Sequence, residues 1–187
     1  AYGPGLQIVP GGRSARLVRN KDGRLVANAD TVVTDEMMFA LIDRATLTSQ
    51  QVTAIDTSVA VPLLVTSHPQ HVAVSQWARG RRLGLSGHAL AETYSVLTRL
   101  PGDARVDPAD AVTLIDENFP EPLQLSADAA GGAHREFARR GVAGGATYDG
   151  LVALAAHEHG AVLVTRDARA KATYDAIGVN TEVLAGA

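Results

Sequence analysis

Apolar residues run through this chain in short bursts, and polar or bend-forming residues close almost every one. Compact runs rich in Val, Ile and Leu predict strands at 6–10, 14–19, 24–27, 53–57, 83–86, 122–126, 161–165 and 180–184. Longer stretches with apolar residues three or four apart predict helices at 34–43, 68–79, 88–100, 107–118, 128–141, 146–159 and about 168–177. Residues 20–23, with Asp22 and Gly23 inside, predict a hairpin turn between the second and third strands. Residues 46–51 are polar, uncharged and aperiodic, which reads as a linker. It separates a β-rich front piece (1–45) from a stretch (52–187) in which strands and helices alternate. That alternation implies an α/β fold, a parallel sheet flanked by helices. Sites in such sheets lie at the carboxyl ends of the strands.

The front piece carries its own signal. Thr34 is placed to cap a helix, and Asp35 and Glu36 suit its positive end. Met37, Met38, Phe39, Leu41 and Ile42 then give that helix more apolar surface than so small a piece can bury alone. It needs a surface to dock on.

Composition narrows the classes. The 187 residues contain no Cys, which excludes disulfides, zinc thiolates and a thiol nucleophile. No apolar run is long enough to span a membrane, and no basic-then-apolar start marks a signal peptide, so the cytoplasm is the expected compartment. The net charge is −3, but its distribution is uneven. Residues 1–50 hold six basic against five acidic residues, and the remainder eleven against fifteen. A bound cation in the acidic part would let a polyanion approach.

Four acids stand out because each lies in an apolar or helical frame. Asp56 and Asp167 follow predicted strands, and Glu92 and Asp149 lie on predicted helices. Taken singly, each reads as a cap, a turn or a surface charge. Buried carboxylates are costly unless compensated, and four that converge suit a hard divalent cation such as Mg²⁺ or Mn²⁺. Such an ion at a sheet end points to phosphoryl transfer. The phosphatases that begin with a strand-end Asp need a second Asp two residues later, where this chain has Ser58. His157 and His159 are two apart on a helix, point to different faces and do not make a metal pair.

Four separated motifs carry a resemblance: Ile55–Ser58 around Asp56, 91–99 around Glu92, 148–156 around Asp149, and 163–169 around Asp167. In order and spacing, residues 52–187 resemble the PIN-domain nucleases, most closely the toxins of VapBC toxin–antitoxin systems. The resemblance implies a Rossmann-like PIN fold and a metal-dependent endoribonuclease. Asp56, Glu92 and Asp149 would hold one or two Mg²⁺ or Mn²⁺ ions, with Asp167 binding more weakly or through water. Thr57, Ser58 and Thr165 carry hydroxyls suited to support those ligands. Arg99, seven residues after Glu92, is a candidate for an RNA phosphate; as a plain surface Arg it would need no further role.

The front piece resembles the second half of an AbrB-like fold and the toxin-binding helix that follows it in VapB antitoxins. The DNA-contacting first half of that fold is not visible, so operator binding by this chain is not expected. The resemblance implies a toxin joined to an inhibitory segment: Met37, Met38, Phe39, Leu41 and Ile42 dock on the nuclease, and an Arg enters the acids. Arg44 is the first choice for that Arg; Arg13, Arg16, Arg19 and Arg24 are the others. A homodimer or higher even assembly is expected. The alternative is a catalytically silent PIN module with a regulatory or binding role.

Overall fold

The computed structural model describes residues 15–30 and 52–184. The strand expected at 6–10, the helix at 34–43 with Met37–Ile42, Arg44, and the linker at 46–51 lie outside the described residues.

The sheet of the main body has four parallel strands in the order β4-β3-β5-β6. They are β3 (Thr53–Ile55), β4 (Leu83–Leu85), β5 (Leu163–Thr165) and β6 (Thr181–Val183). Every residue of β3, β4 and β5 is buried, as continuous apolar strands covered on both faces require. From β3 the chain steps to β4 on one side, then returns to β5 on the other. Right-handed crossovers put the helices of these two excursions on opposite faces. The order therefore reverses between β3 and β5, and a crevice opens beyond their carboxyl ends.

The helices are α1 (Thr57–Leu64), α2 (His71–Trp77), α3 (Ala89–Leu97), α4 (Pro108–Asn118), α5 (Ala127–Arg140), α6 (Ala146–Glu158) and α7 (Lys171–Ile177). α1 packs on α2 and α3, and α6 on α5 and α7. None of the helices in the described residues is long and apolar enough to cross a membrane.

Two close approaches fix how α6 meets its neighbours, the start of α3 and α5. Gly87, just before α3, has φ +53°, and a Cβ there would lie 2.4 Å from the Leu151 carbonyl oxygen. Gly150 lets Phe137 of α5 lie against α6, where a Cβ would sit 2.6 Å from the ring. Buried Ser86 adds a tie, its Oγ donating to the Val152 carbonyl at 2.8 Å.

Some expected elements differ. The strand at 122–126 reduces to one bridge between Leu123 and Ser86. Pro120 and Pro122 flank it and remove the donors a ladder needs. α2 starts at His71 rather than 68 because Pro69 keeps residue 68 out of a helix. Asp107 occupies the cap position of α4 but makes no side-chain capping bond.

The front hairpin, β1 (Arg16–Arg19) with β2 (Leu25–Asn28), forms as the Asp22-Gly23 turn predicts. Asn20 Oδ1 accepts from the amides of Asp22 and Arg24, and Gly23 takes φ +79°. The hairpin docks on the α/β body. Ala27 bridges Val65, Ala15 N donates to the Arg105 carbonyl at 2.6 Å, and Asn118 Nδ2 donates to the Leu25 carbonyl at 2.8 Å. Ala15 and Ala27 share one buried core with β3 and α1.

Candidate active site

Asp56 follows β3 directly and caps α1, its Oδ1 accepting from the amides of Ser58 and Val59. Asp56 thus caps a helix and also lines the crevice beyond β3 and β5. Ser58 Oγ also donates to Oδ1, while Thr165 Oγ1 and the Tyr174 hydroxyl donate to Oδ2. Burial pushes the Asp56 carboxyl above the usual carboxylate range, and these hydrogen bonds pull against it. Burial and the neighbouring carboxylates push the Tyr174 phenol well above its ordinary value, so it stays a donor.

Glu92 stands on the first turn of α3, and Thr57 Oγ1 donates to its Oε2 at 2.6 Å. Asp167 lies two residues beyond β5 and pairs with Arg169. The Arg169 amide and Nε reach Asp167 Oδ1 at 2.9 and 3.1 Å, and Nη2 reaches Oδ2 at 3.1 Å. Burial raises the Asp167 carboxyl, but the contacts with Arg169 outweigh it and hold the group below the ordinary range. Asp149, on the first turn of α6, accepts no hydrogen bond among the described residues. Its pKa is pushed up to about 6, first by burial and then by Glu92, Asp56 and Asp167, with Arg169 opposing.

These four acids, from four parts of the sequence, line one open cavity of about 200 Å³ with Thr57, Ser58, Val96, Val152, Ala170 and Tyr174. The cavity is the crevice beyond β3 and β5. Its donor set, carboxylates and hydroxyls with one carboxylate only partly compensated, is the chemistry a hard divalent cation takes. As the side chains stand, no three His, Asp or Glu groups among the described residues converge closely enough to hold an ion. Thr57 holds Glu92 and Arg169 holds Asp167, so loading a cation requires those carboxylates to turn.

The three supporting hydroxyls, Thr57, Ser58 and Thr165, each contact a site carboxylate. Arg99 is absent from the cavity lining, because α3 ends at Leu97 and its guanidinium turns back to the Ser95 carbonyl at 3.0 Å. Arg19 and Arg24 also lie elsewhere. With Val52 and Leu83 they line a separate cavity at the amino ends of β3 and β4, and Arg19 pairs with Glu117. Neither blocks the acids of its own chain. Tyr174 and Arg169 were not expected from the sequence. The one available hint was a Tyr on the apolar face of a helix, which needs a partner for its hydroxyl when buried.

The PIN domain signature matches residues 53–176. Over 132 residues the chain is 57% identical to Ribonuclease VapC27 of Mycobacterium tuberculosis, which covers 71% of this chain and 96% of that protein. It is 43% identical over 132 residues to Ribonuclease VapC40 of the same species, covering 70% and 98%. In its N-terminal region it is 50% identical over 42 residues to Antitoxin VapB27 of that species, 22% of this chain and 53% of the antitoxin. The chain thus spans about half the length of that antitoxin. The fold matches FitAcB from Neisseria gonorrhoeae (TM-score 0.51, 20% identity, 71% of this chain and 96% of that one). It also matches VapBC2 from Rickettsia felis bound to a promoter DNA fragment (TM-score 0.51, 17% identity, 72% and 99%). The chain belongs to the PIN-domain family, in its VapC branch, with a VapB-like segment ahead of the domain.

Proposed function

We propose that the chain is a divalent-metal-dependent endoribonuclease toxin of a type II toxin–antitoxin system, joined to an antitoxin segment that restrains it. The observation that carries this is the gathering of Asp56, Glu92, Asp149 and Asp167 around one crevice at the switch point of a parallel sheet. The names of its VapC relatives and the VapB-like front segment support the reading.

When bound, Mg²⁺ or Mn²⁺ supplies positive charge for the phosphoryl oxygens and lowers the pKa of a bound water. The protein's own part is positional. Ser58, Thr165 and Tyr174 lock the Asp56 carboxylate in one orientation. Thr57 orients Glu92. Asp149, which Arg169 offsets only in part, is the charge that favours a cation at neutral pH.

The test is cleavage of single-stranded RNA by the full chain with Mg²⁺ or Mn²⁺ against EDTA. We expect metal-dependent cleavage and a loss of about 100-fold or more in D149N and D56N. Metal-independent cleavage, or variants as active as wild type, would refute the assignment. The reading as a silent PIN module rests on one observation, the Asp167–Arg169 pair that occupies a ligand. It predicts no cleavage at any metal concentration.

A further inference from the structure

Tyr148 immediately precedes Asp149 and is 57% exposed, the one aromatic among the large hydrophobic side chains exposed in the described residues. It stacks on His88, with ring centroids 5.0 Å apart and planes 29° from parallel. His88 is one turn ahead of Glu92, whose amide donates to the His88 carbonyl at 3.1 Å. The ring pair therefore spans the starts of α3 and α6, one residue before Asp149 and one turn before Glu92, at the rim outside the residues that line the crevice. The approach of Gly87 to Leu151 holds the helices at this distance.

An exposed aromatic ring is ordinarily tolerated, but this one is backed on one face and open on the other. Base stacking needs that arrangement, and every base has a face to offer. The electrostatics of the crevice favour a grip on the base. Four carboxylates repel a phosphate until a cation is present, whereas an uncharged base meets no such barrier. A base inside a duplex has both faces covered, so only an unpaired nucleotide can use the platform.

We propose that Tyr148, backed by His88, is a stacking platform for an unpaired RNA base, holding the nucleotide beside the phosphate to be cleaved. This deepens the ribonuclease reading and rests on it. The contact itself carries little base preference, because every base has a face to stack.

The test uses the full chain, a short single-stranded RNA of fixed sequence, and the variants Tyr148→Ala, Tyr148→Phe and His88→Ala. Metal-free binding is read by fluorescence anisotropy, and cleavage by kcat and KM. Tyr148→Ala should weaken binding and raise KM about 10-fold, with kcat within about two-fold. Tyr148→Phe should behave as wild type, since stacking does not use the hydroxyl. His88→Ala should fall between them. An RNA with an abasic nucleotide at the stacked position should bind wild type and Tyr148→Ala equally. Unchanged binding and KM in Tyr148→Ala would overturn the proposal, as would a Phe variant as weak as the Ala variant. Loss of metal-dependent cleavage in the wild type would instead overturn the nuclease reading, and the binding measurement would still decide the platform.

Discussion

Asp149 carries a charge that Arg169 offsets only in part, and the consequence is measurable. Its carboxyl is pushed up to about 6 in the fold, against 3.8 for the unperturbed group. The folded chain therefore keeps a proton that the unfolded chain has lost across that window. Asp149's contribution to stability is fully present below about 4 and is lost as pH rises through about 6. At pH 7 the ionised group lowers the stability of the metal-free fold by about 1 kcal/mol, allowing for its partial exposure. Asp149→Asn should raise the thermal midpoint in EDTA at pH 7 while abolishing most cleavage; a lower midpoint would contradict this. Divalent-cation affinity should decline below about pH 6, where binding must displace that proton. Arg169 competes with a cation for Asp167, so Arg169→Gln should tighten Mn²⁺ binding about three-fold, read by calorimetry. Weaker binding would show that Arg169 helps the site. Asp56, Asp149 and Asp167 were legible because each interrupts an apolar run or opens an apolar helix. The Arg169 and Tyr174 contacts were not, since they depend on how the segment after β5 docks. Arg99 lies just past the end of α3 and outside the cavity lining, which spacing counted from Glu92 does not reveal.

At the scale of elements, the site depends on α3 and α6 lying close together at their starts. Gly87→Ala would press a methyl group on the Leu151 carbonyl and put Ala at φ +53°. The expected cost is about 1–3 kcal/mol, with a larger fractional loss of cleavage than the midpoint shift implies, because Glu92 and Asp149 move apart. A variant with full activity and an unchanged midpoint would contradict this role. The strands β3, β4 and β5 and most helices around them were readable from periodicity alone; α1 was not predicted, because it is buried on nearly every side and its apolar run has no helical period. The 122–126 strand was misread because its Leu-Gln-Leu alternation mimics one while two prolines deny it a ladder. α7 starts later than expected because Asp167 captures the Arg169 amide in a turn before the helix begins.

At the scale of the whole molecule, the front hairpin is a structural part of the body rather than a loose appendage. Its docking was not foreseen: the sequence singled out the segment at 34–43 for docking, and no local pattern names Val65, Arg105 or Asn118 as partners of the hairpin. We propose that the segment at 34–43 adds restraint. Phe39→Asp with Met38→Asp should then raise RNA cleavage by the full chain several-fold (about 5-fold or more), since charges abolish docking of an apolar helix face. Unchanged cleavage would remove the segment from the inhibitory account. Light scattering at micromolar concentration should give a dimer or higher even assembly; a monomer would count against that proposal. The central claim, that the four acids form one cation site, is tested most directly by soaking crystals of the full chain in Mn²⁺ and measuring anomalous density. The account predicts a peak in the crevice among Asp56, Glu92, Asp149 and Asp167, with Asp167 turned away from Arg169. A crevice without a peak at saturating Mn²⁺, the Asp167–Arg169 pair intact, would contradict it.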